Sequence, residues 1–320
     1  MQRRLFLTTL AAASVAPGVS FAEGKPIRLV VPFPPGGATD ITARVLSDPL
    51  SKILQQPVVV DNRAGAGGSI GMAEVARATP DGLAFGVATL STHGVNPAVY
   101  QKLPYDPIQG FVGVTELVKA PGVIVINPSV LPINSFAELV KYLKANPGKV
   151  SYASPGNGTI GHMWGELFKS STGTSMVHIP YRGAGPALND VLAGQVPVYF
   201  DQAASSLPHV KAGKLKALAV SWSGRLDVLP EVPTYGELGY AAINNPSWFG
   251  LVAPAGTTPD IVQRMQQAVV AVLKDRAVRE RLSLQGLYAS GTTPAEFTTQ
   301  IASEIEKMKQ VAAFARIRLD

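Results

Sequence analysis

The segment IRLVVPFPPGGATD, residues 27–40, decides the fold class of this chain. Its first five residues form a short apolar run that is typical of a buried strand. A turn rich in proline and glycine follows, and Ala38, Thr39 and Asp40 then open a helix. Strand, glycine turn and helix start in this order favour a parallel α/β arrangement. Thr39 or Asp40 either caps this helix or faces a ligand, and the local sequence leaves both open.

The same design recurs twice further along the chain. Val150–Ala153 leads into the turn at residues 154–159, and Met176–Ile179 leads into the turn at residues 180–186. In open α/β sheets, ligands lie outside the carboxyl ends of the strands. A helix N-terminus there presents unpaired N–H groups and a partial positive charge, which favour an anion. The three turns together therefore predict an anion-binding region.

Several polar side chains near these turns have two interpretations each. Arg182 either holds a carboxylate through two hydrogen bonds or is a solvated loop arginine. Asp201 follows the apolar run Val196–Phe200 and either accepts a bond from the ligand or fixes a neighbouring loop. His162 and Glu166, four residues apart, either bind a metal or make a contact on the helix surface. Because no further ligand cluster accompanies them, we expect no metal and no other cofactor.

Short apolar runs alternate with helical patterns over most of the chain, which favours an α/β fold. Phe136–Ala145 is a predicted helix, which Ser135 and Glu138 begin as a capping box. Three helices are expected in the last third of the chain, and Pro49 predicts a kink or break near Asp48 in the helix that begins at residue 38. The predicted strands are Ile27–Val31, Val58–Val60, Phe85–Ala88, Val123–Ile126, Val150–Ala153, Met176–Ile179, Val196–Phe200, Ala217–Val220 and Phe249–Ala253.

The first 22 residues have the pattern of a secretory signal peptide. Arg3 and Arg4 precede the apolar stretch Leu5–Val19, and Ser20 and Ala22 suit cleavage after Ala22. The stretch is too short to span a bilayer, which takes about 20 residues, so we expect an exported periplasmic protein and not a membrane anchor. The pair Arg3-Arg4 also resembles a twin-arginine export signal.

Composition excludes several classes of protein. The 320 residues are 46% apolar and contain no cysteine, so disulfides, cysteine-ligated zinc, a cysteine nucleophile and lipid attachment through cysteine are excluded. The formal net charge is +6, but the basic residues are scattered along the chain. A nucleic-acid reader would concentrate them in a stripe, so no nucleic-acid partner is expected.

Two enzyme motifs appear in part and fail on spacing. Gly67-Gly68-Ser69-Ile70-Gly71 matches the nucleophile elbow of α/β hydrolases, but residues 61–67 separate its serine from the preceding strand. Gly65 and Gly67 begin a dinucleotide fingerprint, but Ile70 occupies the position of the third glycine. A hydrolase is the enzymatic alternative, and we expect no catalytic residues.

Taken together, these segments resemble the substrate-binding receptors of tripartite tricarboxylate transporters, the Bug family. The resemblance covers nearly the whole chain after residue 22. It rests on the order and spacing of several blocks, which are residues 31–40, 61–68, 91–93, 154–159 with His162, 180–183, 200–201, 211–220 and 232–234.

The resemblance implies a two-lobed periplasmic-binding-protein fold, a type II-like clamshell with mixed, mainly parallel sheets. One lobe would comprise residues 23–121 plus 221–320 and the other residues 122–220, with the ligand cleft between them. It also implies ligand-binding roles for Phe33, Gly36, Gly37, Ala38, Thr39, Asp40, Ser91, Thr92, Asn157, Gly158, Thr159, Tyr181 and Asp201. Trp248 is a further candidate for the cleft wall.

The function implied by the resemblance is capture of a small carboxylate for the membrane components of a tripartite transporter. Di- and tricarboxylates, amino acids and aromatic acids all remain candidate ligands. Helix starts recognise the carboxylate group but do not discriminate among the other parts of the ligand. An extracytoplasmic sensor with the same fold is the alternative, because the partner protein decides whether ligand binding leads to transport or to signalling. We expect the receptor to act as a monomer.

Overall fold

The computed structural model describes residues 24–319, so the predicted signal peptide at residues 1–22 lies outside the described residues. The strands, in chain order, are β1 Ile27–Val31, β2 Val58–Asn62, β3 Ala84–Thr89, β4 Phe111–Ala120, β5 Gly122–Ile126, β6 Ser151–Ser154, β7 Val177–Pro180, β8 Val198–Gln202, β9 Lys216–Ser221, β10 Ser247–Pro254 and β11 Tyr288–Ala289.

The helices follow most of the predicted positions. They are α1 Ala38–Leu54, α2 Ser69–Ala76, α3 Asn96–Val99, α4 Phe136–Ala145, α5 Ile160–Thr172, α6 Ala184–Leu192, α7 Ala203–Lys211, α8 Pro259–Lys274, α9 Arg276–Ser283 and α10 Pro294–Ala315. A π-helical turn spans Ser91–Val95, and short 3₁₀ turns span Ala66–Gly68 and Ala241–Ile243. Within residues 24–319, no helix has the length and apolar character that a bilayer crossing requires.

Two sheets organise the molecule as a two-lobed clamshell. The first has the strand order β11-β4-β10-β3-β1-β2 and the second has the order β7-β6-β8-β5-β9. The chain passes from the first sheet to the second at Pro121, between β4 and β5. The cleft between the sheets is therefore bounded by the carboxyl ends of β1, β3, β6 and β8, where the ligand-binding turns were expected.

Both sheets are mixed, as expected, but they are not mainly parallel. Among the described strands, β1 pairs in parallel with β2 and β3, and β6 with β7 and β8, whereas the other five pairings are antiparallel. The antiparallel pairings all involve β4, β5 or β10. The reason is connectivity, because strands that carry the chain between the lobes enter each sheet without a helical crossover.

Strand β4 was not predicted, because polar residues interrupt its sequence FVGVTELVKA. Glu116 is only 1% exposed within it. Its carboxylate accepts hydrogen bonds from Ser290 Oγ at 2.5 Å, Lys119 Nζ at 2.8 Å and Gln300 Nε2 at 2.9 Å. Two of these three partners, Ser290 and Gln300, lie far away in sequence, so a local pattern does not reveal how the buried carboxylate is satisfied.

The segment 222–246, which follows the lobe boundary expected at residue 221, packs on the second sheet. Leu226, Leu229 and Val232 are buried in the same core cluster as β5 and β8. Thr234 forms a parallel bridge with Val220, and the Tyr235 N–H donates to the Val220 carbonyl at 3.0 Å. The apolar side chains of this segment therefore extend the core of the second sheet beyond the end of β9. The chain returns to the first sheet at β10.

Helix α1 continues through Pro49, so the predicted kink or break near Asp48 does not take the form of a break. Proline lacks the N–H that would bond to the carbonyl of Val45, and such a loss normally disrupts a helix. Leu50 and Leu54, in the last turn, are 1% and 7% exposed. Burial of these two side chains against the first sheet stabilises the turn beyond the proline, so packing outweighs local propensity here.

Candidate ligand-binding site

The starts of three helices meet at one small cavity, which we call the inner cavity. Ala38, Ile160 and Ala184 are the first residues of α1, α5 and α6, and all three line it. Each start presents backbone N–H groups that have no acceptor within their own helix. The other lining residues are Phe33, Gly37, Thr39, Thr89, Ser91, Pro155, Thr159, Gln202 and Phe249.

None of the described residues that line the inner cavity carries a charge. Positive potential therefore comes from the helix starts and not from a lysine or arginine. Hydroxyl groups of Thr39, Thr89 and Ser91 add hydrogen-bonding capacity, whereas Phe33 and Phe249 provide apolar walls. The arrangement suits a small molecule that has one anionic end and an apolar remainder.

In the first lobe, the turn that carries Ser91 is held by a local network. Thr89 N–H donates to Thr92 Oγ1 at 3.0 Å, and Thr92 N–H donates to Thr89 Oγ1 at 3.1 Å. The His93 ring follows, with its Nδ1 2.9 Å from Thr92 Oγ1. Burial lowers the pKa of His93 to about 3, so the ring is neutral at neutral pH. Thr92 therefore positions the turn and does not line the cavity.

In the second lobe, the turn at residues 154–159 rests on a pair of histidines. The rings of His162 and His178 stack with centroids 4.1 Å apart, and His178 Nε2 lies 2.6 Å from Ser154 Oγ. Burial lowers the pKa of His178 to about 3. Thr159 Oγ1 donates to the Gly156 carbonyl at 2.7 Å, which fixes the start of α5.

Glu166 does not join His162 in a ligand set. Its carboxylate accepts from Tyr152 Oη at 2.6 Å and from Lys169 Nζ at 2.8 Å. Among residues 24–319, no group of three or more histidine, aspartate or glutamate side chains is arranged to hold a metal ion. Glu166 is thus engaged by Tyr152 and Lys169, whereas His162 stacks on His178.

The two lobes touch across the inner cavity, so the structure is a closed form. Ile160 N–H donates to Ser91 Oγ at 3.0 Å, and Tyr100 Oη donates to the Asn157 carbonyl at 3.2 Å. The Tyr100 ring also packs against Gly158, where a Cβ atom would lie only 2.4 Å from Cε2. Closure therefore depends on the absence of a side chain at residue 158.

The predicted site residues divide into three groups. Those that line the inner cavity are Phe33, Gly37, Ala38, Thr39, Ser91 and Thr159. Asn157 and Tyr181 line a second, larger cavity, which we call the outer cavity. Those that line neither cavity are Gly36, Asp40, Thr92, Gly158 and Asp201.

Asp40 stabilises the turn at residues 32–37 through hydrogen bonds and does not line either cavity. Its carboxylate accepts from Gly36 N–H at 3.0 Å, Asn62 Nδ2 at 3.0 Å and Arg44 Nε at 2.9 Å. Burial opposes ionisation, but the hydrogen bonds outweigh it and lower the pKa of Asp40. With its oxygens so engaged, Asp40 holds Gly36 in place, and Gly37 is the N-cap of α1 without a side-chain cap.

Asp201 supports helix α7 and not the cavity wall. Its Oδ2 accepts from Ser205 Oγ at 2.5 Å and from Ser206 Oγ at 2.8 Å, both in α7. The next residue, Gln202, lines the inner cavity. Successive side chains of a strand point to opposite faces, so Asp201 is turned away from the ligand region. The second of its two sequence interpretations, fixing a neighbouring segment, is the one that fits.

Replacing Asp201 with asparagine is expected to stabilise the protein at pH 8. Burial raises the pKa of Asp201 to about 6, with the serine hydrogen bonds acting in the opposite direction. The unfolded chain ionises this group near pH 4, so folded-state stability falls as pH rises from about 4 through 6. The asparagine side chain cannot ionise, and we expect a gain of about 2 kcal/mol in the free energy of unfolding at pH 8.

Urea unfolding of both proteins at pH 8 and pH 4 measures this effect. The gain should vanish at pH 4, where the native carboxyl group is already neutral, and ligand affinity should change less than about threefold because the residue is outside the cavity. A gain of equal size at both pH values, or a loss at pH 8, would contradict the assignment.

Six residues of the inner cavity were missed in the sequence, although two of them carry a local pattern. Ile160 and Ala184 are first helical residues after glycine turns, as Ala38 is, and the same rule identifies them. Phe249 lines the cavity, whereas its predicted neighbour Trp248 is 2% exposed and packs edge-on against Phe297. The six are Thr89, Pro155, Ile160, Ala184, Gln202 and Phe249.

Comparison with known proteins gives a consistent result. Residues 42–314 match the family model of the tripartite tricarboxylate transporter family receptor. The chain is 38% identical over 301 residues to protein BugT of Bordetella pertussis, covering 93% of this chain and 92% of BugT.

Two solved structures share the fold over nearly their whole length. The R. palustris protein Rpa4515 with adipate has a TM-score of 0.89 at 34% identity, covering 92% of this chain and 98% of that one. MatC from Rhodopseudomonas palustris with bound malate has a TM-score of 0.85 at 32% identity, covering 89% and 98%. The chain therefore belongs to the tripartite tricarboxylate transporter receptor family of periplasmic solute-binding proteins.

Proposed function

We propose that the inner cavity binds one carboxylate of a small organic acid and that the bound acid holds the two lobes closed. The observation that carries this proposal is the meeting of the α1, α5 and α6 starts at an uncharged cavity. Helix starts stabilise an anion through N–H groups and the helix dipole. Because α1 belongs to one lobe and α5 and α6 to the other, a carboxylate bound there bridges both.

The ligand class that we propose is that of small carboxylates, with dicarboxylates first among them. Two relatives of similar structure carry adipate and malate, both of which are dicarboxylates. Amino acids and aromatic acids remain within the proposed class, because Phe33 and Phe249 offer apolar contacts to a ring or chain.

The mechanism that we propose is lobe closure followed by docking. Residues 23–121 with 247–320 would move as one lobe and residues 122–246 as the other, with the crossings at Pro121 and before β10. Ligand binding shifts the open–closed equilibrium, since the ligand contacts both lobes only in the closed form. The closed monomer would then deliver the acid to the membrane components of a tripartite transporter, after export directed by residues 1–22 through the general or the twin-arginine route.

We propose that no chemical step follows binding. Ser154 Oγ lies 2.6 Å from His178 Nε2, which is the spacing of a nucleophile and its base. Ser154 is nevertheless 0% exposed and lines neither cavity. Ser69, the serine of the partial elbow motif, is the first residue of α2, and its Oγ accepts from Asn96 Nδ2 at 3.2 Å.

A thermal-shift and calorimetry panel tests the proposal on the purified protein. We expect dicarboxylates and related acids to raise the melting temperature, since a ligand at 100 times its Kd stabilises by about 2.7 kcal/mol. The fully methylated esters of the same acids serve as matched controls. They should have no effect, because they lack a carboxylate anion. Stabilisation by sugars or nucleotides alone, equal stabilisation by acids and esters, or turnover of any ester would overturn the proposal.

A further inference from the structure

The outer cavity adjoins the inner one and shares Phe33 and Pro155 with it. Its walls come from both lobes, with the glycine-rich turn at residues 65–68 on one side and the loop after β7 on the other. The full lining is Phe33, Pro34, Gly65, Ala66, Gly67, Gly68, Tyr100, Pro155, Gly156, Asn157, Pro180, Tyr181, Arg182 and Gly183.

Arg182 is the single charged residue among the described residues that line this outer cavity. Its side chain is exposed, and none of the ion pairs within residues 24–319 involves it. The nearest acid along the next helix, Asp190, accepts instead from Tyr181 Oη at 2.8 Å. Arg182 therefore brings to the lining of the outer cavity a positive charge that forms no ion pair with a carboxylate of the described residues.

The two cavities differ in a way that matches the two ends of an extended diacid. The inner cavity holds an anion through backbone groups, and the outer cavity offers a guanidinium, which binds carboxylates through paired hydrogen bonds. Phe33 and Pro155 line both cavities, so they present apolar surface to the part of a ligand that spans the two. An apolar linker suits this position better than a polar one.

We propose that the outer cavity is a second subsite, in which Arg182 binds the distal carboxylate of an α,ω-dicarboxylate whose first carboxylate occupies the inner cavity. This inference rests on the proposed function and refines it. Affinity then depends on chain length, because a short acid places both ends in the inner cavity and does not reach Arg182. The preferred ligands are linear diacids with an apolar linker, and compact acids bind through the inner cavity alone.

Calorimetry on matched pairs of acids tests the subsite. Each diacid is compared with the monoacid of equal length, so succinate is paired with butyrate, adipate with hexanoate and suberate with octanoate. Arg182→Gln should weaken the longer diacids about fivefold at low salt, as expected for an exposed ion pair. Binding of succinate and of the monoacids should stay within about 1.5-fold. Arg182→Lys should retain part of the effect, and added salt should reduce it.

A control variant and the contrary outcomes separate this inference from the proposed function. Arg276→Gln removes an exposed arginine that lines neither cavity, so it should leave every Kd unchanged. If acids bind but Arg182→Gln weakens diacid and matched monoacid equally, or changes neither, the second subsite is wrong and the proposed function stands. If no acid binds the wild-type protein, both the second subsite and the proposed function are wrong.

Discussion

Replacing Gly158 with alanine is expected to weaken ligand binding more than 100-fold while leaving each lobe folded. The new methyl group would lie 2.4 Å from Tyr100 Cε2 and 2.9 Å from Asn96 Oδ1. Both neighbours belong to the first lobe, whereas Gly158 belongs to the second. The overlap is therefore relieved most easily when the lobes move apart. Affinity then falls in proportion to the population of the closed form.

Gly173 offers a matched control for this substitution in the same lobe. Its φ is +63°, close to the +69° of Gly158, so alanine suffers similar backbone strain at both positions. No heavy atom lies within 4 Å of a Cβ built on Gly173. Gly173→Ala should thus lose about 1 kcal/mol of stability and keep its affinity.

Calorimetry and small-angle scattering measure the two variants. Gly158→Ala should show weak binding and should keep the open dimensions when ligand is added, whereas Gly173→Ala should contract as the wild type does. Equal affinities for the two variants would show that the Tyr100 contact does not control closure. Unfolding of Gly158→Ala at room temperature would likewise contradict the prediction, because the clash lies between lobes and not within a core.

The second large effect is expected from Thr39→Asp, which should weaken carboxylate binding about 100-fold. Thr39 is the second residue of α1 and lines the inner cavity. A carboxylate placed there repels the anion of the ligand. Thr39 is buried, so the new carboxylate loses hydration, whereas its interaction with the start of α1 is favourable. The two effects oppose each other, so folding stability should change by less than about 1 kcal/mol while binding is lost.

Thr39→Asn is the control for shape, since asparagine matches aspartate in size but carries no charge. It should lose less than about tenfold in affinity, which leaves the larger part of the Thr39→Asp effect to charge. Calorimetry with one carboxylate ligand, together with urea unfolding, measures both quantities. Equal losses for the two variants would mean that the cavity does not hold an anion beside Thr39.

An inner cavity without a charged side chain has a consequence for specificity. Helix starts and hydroxyl groups hold an anion without a fixed counter-charge, so the remainder of the ligand is selected by the apolar walls and by what lies beyond them. Differences between ligands should then arise mainly at Phe33, Phe249 and the outer cavity, where these relatives would be free to diverge.

The local sequence determined several features that depend on neighbours in the chain. The turn at residues 32–37 and the helix starts at Ala38 and after Thr159 were predictable, because unpaired N–H groups and glycine turns are properties of a few consecutive residues. Helix α4 begins and ends where its capping residues predicted, and Ser135 Oγ accepts the Glu138 N–H at 3.2 Å. The spacing of such blocks also sufficed to identify the family and its two-lobed fold.

The tertiary structure alone decided which side chains face the cavity and which residues close it. Gln202 and Phe249 line the inner cavity, whereas their neighbours Asp201 and Trp248 do not. A strand places adjacent residues on opposite faces, and its pairing with distant strands determines which face meets the ligand. Gly158 likewise meets Tyr100, 58 positions earlier in the chain, only because both lobes fold and close. Contacts between residues far apart in sequence depend on packing, so local propensity does not predict them.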